Sequence, residues 1–406
     1  MANRPLTAEL KHYLTVTGNY WAFTLTDGAL RMLVVLHFHA LGYSPLQIAM
    51  LFLFYEIFGI VTNLLGGWLG ARWGLNRTMN AGLLLQVMAL AMLLVPVSML
   101  TVAWVMAAQA LSGIAKDLNK MSAKSSLKFL IAGHAQNKLY RWVALLTGSK
   151  NALKGVGFFI GGALLSLLGF QGAVAGMAAA LLLVWMSSLL LLRTDFGKAK
   201  TQPKFTELFS KSHAINTLSA ARMFLFGARD VWFVVALPVF LGTQLAWDYW
   251  QVGGFLAAWV IGYGFVQSLA PYFTGKQRGA VPDGSTALHW ALPLAAVPAL
   301  MALALTADWP AAAVLMVGLG VFGVVFAVNS SLHSYLILSY AKHDGVSLDV
   351  GFYYMANAMG RLLGTVLSGW IYQSRGLAAC LWVSAGFLAL TALISRALPR
   401  HNKATV

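Results

Sequence analysis

The sequence predicts an all-α integral membrane protein of twelve transmembrane helices arranged as two six-helix halves. Three observations predict it. Hydrophobic residues make up 59% of the 406 residues and charged residues only 10%, with a mean hydropathy of +0.72, which no soluble globular domain needs. Apolar stretches of about 20 residues, the length that crosses a bilayer as a helix, recur from end to end. The longest polar connection, Arg193 to His213, lies midway and leaves six such stretches on either side.

In the first half the spans are expected at 13–40, 45–71, 79–97, 101–131, 141–168 and 170–192, and in the second at 214–241, 248–273, 286–305, 310–341, 345–373 and 376–397. The domains are then 1–192, a connecting segment 193–213, and 214–406. Alternate connections differ in charge. One set carries Arg4, Lys11, Arg72, Arg77, Lys138, Arg141, Arg193, Lys198, Lys200, Lys204, Lys211, Lys276, Arg278, Lys342, Arg396, Arg400 and Lys403, and the other carries only Arg375. Basic connections stay on the cytoplasmic side, so both termini are expected in the cytoplasm and the chain in the plasma membrane, the inner membrane of a bacterium. Residues 1–12 are polar and no cleavage-site pattern follows the first apolar run, so the first span is expected to direct insertion itself.

Composition also excludes function classes. The net charge of +16 resides in short connections and inside spans, which reads as membrane topology rather than nucleic-acid binding. The single cysteine, Cys380, excludes an internal disulfide and any cysteine-cluster metal site. No metal-ligand motif or nucleophile pair stands on neighbouring spans, so neither an enzyme nor a metal or other cofactor is expected. A sensor on this scaffold would add a soluble output domain, for which the central connection and short tails leave no room. The expected partners are membrane lipid and a small anionic substrate, and the working unit is a single chain.

The two halves echo each other. Asp27-Gly-Ala-Leu-Arg31 in span 1 has a counterpart in Gly227-Ala-Arg229-Asp230 of span 7, and Asn151-Ala-Leu-Lys154 in span 5 in Asn357-Ala-Met-Gly-Arg361 of span 11. Two such halves resemble the major facilitator architecture, in which spans 1, 4, 7 and 10 line a central cavity flanked by 2, 5, 8 and 11. Gly67-Trp-Leu-Gly70-Ala-Arg72-Trp-Gly74-Leu-Asn-Arg77 resembles that family's motif between helices 2 and 3. Ala71 stands where the motif has an acid, so whatever that carboxylate latches must be held otherwise. Gly157-Phe-Phe-Ile-Gly161-Gly162 resembles the glycine-rich antiporter motif, with Phe158 in place of proline. Small-residue helix packing accounts for the same pattern.

Charge inside the spans carries the functional reading. Lys116, Lys120, Lys124 and Lys128 recur every four residues and share one helical face. Like charges on one stripe repel, and each costs a few kcal/mol inside a bilayer. Lys124 and Lys128 also suit anchoring to lipid headgroups. Arg31, Lys150, Lys154, Arg222, Arg229 and Arg361 bring the intramembrane cations to ten, against the carboxylates Asp27, Glu56, Asp117 and Asp230. The expected pairs are Asp27 with Arg31, Asp117 with Lys120, and Asp230 with Arg229 or Arg222. The cations fall on spans 1, 4, 5, 7 and 11. A central pocket of Arg31, Lys116, Lys120, Lys150, Lys154, Arg222, Arg229 and Arg361 suits a multiply charged oxyanion such as phosphate, a phosphate ester, arsenate or a polycarboxylate. Asp27, Glu56, Asp117 and Asp230 are the candidates for proton coupling or ion pairing. Tyr20, Trp21, Tyr353, Tyr354 and Asn357 can hydrogen-bond a ligand, and His37, His39 and His333 can carry protons.

Four blocks narrow the family. Val16-Thr-Gly-Asn-Tyr-Trp-Ala-Phe-Thr-Leu-Thr-Asp-Gly-Ala-Leu-Arg31, Gly113-Ile-Ala-Lys-Asp-Leu-Asn-Lys-Met-Ser-Ala-Lys-Ser-Ser126, Gly148-Ser-Lys-Asn-Ala-Leu-Lys154 and Ala221-Arg-Met-Phe-Leu-Phe-Gly-Ala-Arg-Asp-Val-Trp232 resemble the ArsJ family of organoarsenical efflux permeases. The resemblance implies export of 1-arseno-3-phosphoglycerate and arsenate resistance, with a functional link to glyceraldehyde-3-phosphate dehydrogenase, which makes that ester from arsenate. The residues alone leave open a sugar-phosphate or phosphate/arsenate antiporter of the same fold.

Overall fold

A computed structural model describes residues 8–43, 51–130, 136–192, 197–199, 204, 209, 211–247, 249–274 and 281–400. Among them every regular element is a helix: α1 (Ala8–Ala40), α2 (Leu53–Trp73), α3 (Leu75–Met92), a 3₁₀ turn (Val97–Met99), α4 (Val102–Leu130), α5 (Gln136–Leu191), α6 (His213–Phe233), α7 (Ala236–Gln244), α8 (Tyr249–Phe273), α9 (Gly284–Thr306), α10 (Ala311–Tyr340) and α11 (Val346–Ser395). Much of the expected connection 193–213 lies outside the described residues, as do Arg4, Arg193, Lys200, Lys276, Arg278 and Lys403.

Seven helical stretches among the described residues are long and apolar enough to cross a membrane. Two are far longer than one crossing needs, and each is folded by a glycine: α5 bends at Gly169 (φ 66°) and α11 at Gly376 (φ 74°). Only glycine enters this left-handed region cheaply. The bends give two limbs each, matching expected spans 5 and 6, and 11 and 12. Helices α1 and α4 fall short of the same apolar measure, and these two carry Asp27, Arg31 and the lysine stripe.

Helix ends follow local chemistry. Gly74 (φ 94°) separates α2 from α3, and its N–H closes on the Gly70 carbonyl at 3.0 Å. Ser212 Oγ accepts the Ile215 N–H at the start of α6, and Asp283 forms a capping box with Thr286 at the start of α9.

The chain forms two compact units. The first comprises Met1–Ala135, Ser149–Ser210 and Lys342–Met355, and the second Gln136–Gly148, Lys211–Ala341 and Ala356–Val406. In the first unit glycines bring helices to backbone contact. A methyl group on Gly113 of α4 would stand 2.7 Å from the Tyr55 carbonyl of α2, and one on Gly161 of α5 would stand 2.3 Å from the Ala29 carbonyl of α1. The Gly157-to-Gly162 stretch therefore does its visible work as the α1–α5 seam, the packing role small residues take between membrane helices. The first turns of α11 dock on α2: Ser347 Oγ donates to the Gly67 carbonyl (2.8 Å), and Gly351 approaches the Asn63 carbonyl. Where the family motif has an acid, Ala71 is buried with Ala199 and Leu348 against Leu64, Leu65 and Trp68. Its carbonyl accepts the Ala199 N–H at 2.9 Å.

The second unit repeats the scheme. A methyl group on Gly360 of α11 would meet the Met223 carbonyl of α6 at 2.0 Å, and one on Gly364 the Gly227 carbonyl at 2.6 Å. Around this seam lies a core of Trp232, Leu319, Phe322, Phe326 and Leu381, on which Trp259 and Tyr263 pack as stacked rings.

Because these seams have no spare volume, Gly360→Ala and Gly161→Ala should each destabilise the purified protein by about 1–3 kcal/mol. Gly176→Ala, where a methyl meets nothing within 4 Å, should leave the thermal unfolding midpoint in detergent unchanged.

Candidate substrate-binding clusters

In the first unit the cluster is built on Tyr55. The α2–α4 glycine contact places this side chain, fully buried, between α1 and α4. Its hydroxyl donates to Asp27 Oδ1 at 2.7 Å. Its ring faces two cations: the Arg31 guanidinium 4.7 Å and the Lys116 ammonium 3.7 Å from the centroid. Each cation also has a carboxylate. Arg31 binds Glu56 (3.3 Å), not Asp27 as the i,i+4 spacing suggested. The physical reason is Tyr55, which already holds the Asp27 oxygen facing α2. Lys116 (3.9 Å) and Lys120 (2.6 Å) share Asp117, the second being the expected i,i+3 pair. Asp117 is buried while the two lysine side chains are 17% and 14% exposed. Its other flank is Gly59, where a methyl would stand 3.0 Å from Oδ2.

The lysine stripe continues beneath another ring. The Lys120 and Lys124 ammoniums lie 4.6 and 5.1 Å from the centroid of Tyr354, in the docked first turns of α11. Lys124 is only 4% exposed. Headgroup anchoring is therefore wrong for Lys124 in this structure, because an anchoring ammonium must reach the surface. Lys128, one turn on, is half-buried. Lys150 and Lys154 are half-buried on α5; Lys150 donates to Asn151 Oδ1 (3.2 Å), and the Lys154 carbonyl abuts Gly28 of α1.

In the second unit the cluster is built on Asp230, which is fully buried. Arg229 Nε donates to Oδ1 at 2.6 Å and Arg361 Nε to Oδ2 at 3.1 Å. The expected alternative of Arg222 is not the partner; Arg361 is. The Gly227–Gly364 seam brings α11 close enough to supply it, whereas Arg222 lies two turns back on α6 and reaches other groups. It donates to Asn357 Oδ1 (2.9 Å) and to the carbonyl and hydroxyl of Ser330 (3.1 and 3.3 Å), and Gln267 donates to the same hydroxyl (3.0 Å). Phe226 separates the two arginines of α6, its ring centroid 3.9 Å from Arg222 and 5.0 Å from Arg229.

Both clusters thus share one design: a buried carboxylate bridging two cations whose outer faces stay partly open, and an aromatic face beside them. Partly exposed cations with fixed geometry are what an oxyanion docks on. Sequence reading missed Tyr55, Phe226, Ser330 and Gln267. Phe226 was findable, since it stands four residues after Arg222 and three before Arg229, on their helical face. Tyr55 was not, because its three partners come from other helices.

The family model of the Major Facilitator Superfamily matches residues 14–343. The chain belongs to the major facilitator superfamily. Solved structures agree on the fold. The chain is similar to a bacterial homologue of the iron transporter ferroportin in an outward-facing state (TM-score 0.77, 14% identity, covering 96% of this chain and 99% of that one). It is similar also to the human organic anion transporter MFSD10 (TETRAN) (0.73, 17%, 97% and 100%) and to the E. coli fucose:proton symporter FucP (0.72, 12%, 96% and 98%). At these identities the likeness is one of fold alone. No curated protein matches in sequence. As a major facilitator the chain is a multi-pass membrane protein and a secondary transporter of a small-molecule substrate, working as a single chain, not an enzyme.

Removing a bridging carboxylate leaves two cations facing each other. Asp230→Ala should cost about 3 kcal/mol, the low end for breaking a buried pair because both arginines keep some solvent. Tyr55→Phe keeps both cation–ring contacts and loses one hydrogen bond to a carboxylate, for about 1.5 kcal/mol. Thermal unfolding of the two purified variants, followed by tryptophan fluorescence, checks the order.

Proposed function

We propose that the protein exports 1-arseno-3-phosphoglycerate by alternating access and so confers arsenate resistance on cells whose glyceraldehyde-3-phosphate dehydrogenase makes that ester. The observation that carries the reading is that each compact unit holds its own cation cluster: Arg31, Lys116 and Lys120 in one, Arg222, Arg229 and Arg361 in the other. Lys150 and Lys154 add to the charge of the first. A small ester with an oxyanion at each end has one anionic group for each kind of cluster. The resemblance of the four sequence blocks to the organoarsenical permeases supports the same substrate. Arginine offers bidentate docking and lysine an adjustable point charge.

The internal carboxylates hold the clusters in shape. Asp117 and Asp230 neutralise part of each cluster while no anion is bound, and Asp27 and Glu56 hold Tyr55 and Arg31 in place. The basic connections support termini on the cytoplasmic side of the plasma membrane. A sugar-phosphate or phosphate/arsenate antiporter would use the same clusters, and the transport assay separates it.

Everted vesicles given labelled arsenate together with the dehydrogenase, glyceraldehyde 3-phosphate and NAD should accumulate label, and vesicles given arsenate alone should not. Equal uptake in both would move the assignment to an oxyanion antiporter. In cells, Arg31→Ala and Lys116→Ala should express and insert yet lose resistance, read as growth in arsenate. Normal growth of both variants would remove these residues from the binding set.

A further inference from the structure

The lysine stripe of α4 is not uniform. Lys116 is partly open beside Tyr55, whereas Lys124 is buried and Lys120 and Lys124 share the face of one ring, Tyr354. That ring arrives on a clamped segment. Gly67 and Gly351 cross so closely that a methyl on Gly351 would stand 2.6 Å from the Asn63 carbonyl, and Ser347 adds its hydrogen bond to Gly67. Tyr353 packs edge-on against Tyr354, their centroids 4.9 Å apart. Residues 342–355 belong to the first unit, yet α11 continues from Ala356 into the second. Tyr354 therefore lies one residue from the point at which a continuous helix changes units, where any rocking of one unit against the other applies its strain.

We propose that Tyr354 is a positioning residue that keeps Lys124 covered in the state described, and that undocking of the first turns of α11 uncovers it for an anion arriving from the end of α4 that carries Lys128. The carrier then has more exposed cations toward that side than it has with Tyr354 seated. A ligand shifts a two-state equilibrium only by its differential affinity for the two states. The covered lysine supplies such a difference: strong anion capture when it is open, release when the ring returns. This deepens the export reading and rests on it for direction, since the basic connections place that end of α4 in the cytoplasm.

The test does not need the substrate. Cys380 is the only cysteine and is buried, so Lys124→Cys in a Cys380→Ser background gives a single reporter. In everted vesicles a membrane-impermeant thiol reagent should label it slowly with Tyr354 in place. Tyr354→Ala should speed labelling about tenfold, and Gly351→Ala, which unseats the segment from its other face, should do the same. A Leu83→Cys reporter in the core of the same unit should stay unlabelled in both variants. Unchanged labelling at position 124, or labelling that rises equally at position 83, overturns the proposal. Failure of the vesicles to accumulate the arsenic ester would instead strike the substrate reading and leave the labelling result to decide this one.

Discussion

Charge buried among membrane helices is the constraint on which this structure depends. Ammonium and guanidinium groups far from headgroups cost several kcal/mol each unless another group takes their charge. Here the same solution occurs in both units: one carboxylate with almost no solvent contact bridges two cations, and an aromatic face borders them. Asp117 and Asp230 bridge, while Tyr55 and Phe226 supply the faces. The bridging group lies deep and the cations stand outward, so each pair is held in place without being sealed from a ligand.

The seams that allow this are made of glycine. Gly113 lets α4 approach Tyr55, Gly59 leaves room for Asp117, and Gly227, Gly360 and Gly364 bring Arg361 to Asp230. Membrane helices gain little from the hydrophobic effect against each other, so close backbone approach and buried hydrogen bonds take its place. The clusters are thus by-products of where the glycines fall. Moving one seam by a methyl group would move the cations with it.

At the α2–α3 corner the chain departs from its family. A charge is absent at position 71, and the contact there is made by buried Ala71, Ala199 and Leu348, a backbone hydrogen bond and the Ser347 hydroxyl. A neutral clasp of this kind has no long-range field. It holds only while the surfaces touch.

Much of this protein was legible in its sequence. Apolar composition and apolar run lengths pointed to an all-helical membrane fold of the major facilitator kind, because both follow from local composition. The four-residue lysine period placed a charged face on α4 for the same reason. Asp117 with Lys120 was readable, being a pair within one helix. So was Asp230 with Arg229, but the partners of Arg31 and Lys124 and the second partner of Asp230 were not. Arg31 turned to Glu56 because Tyr55 had taken Asp27, Lys124 was covered by a tyrosine more than two hundred residues away, and Asp230 drew Arg361 from another helix. Helical periodicity states which residues share a face of one helix. Which faces meet, and at what distance, is decided by the packing of small residues between helices, and only the tertiary structure contains that.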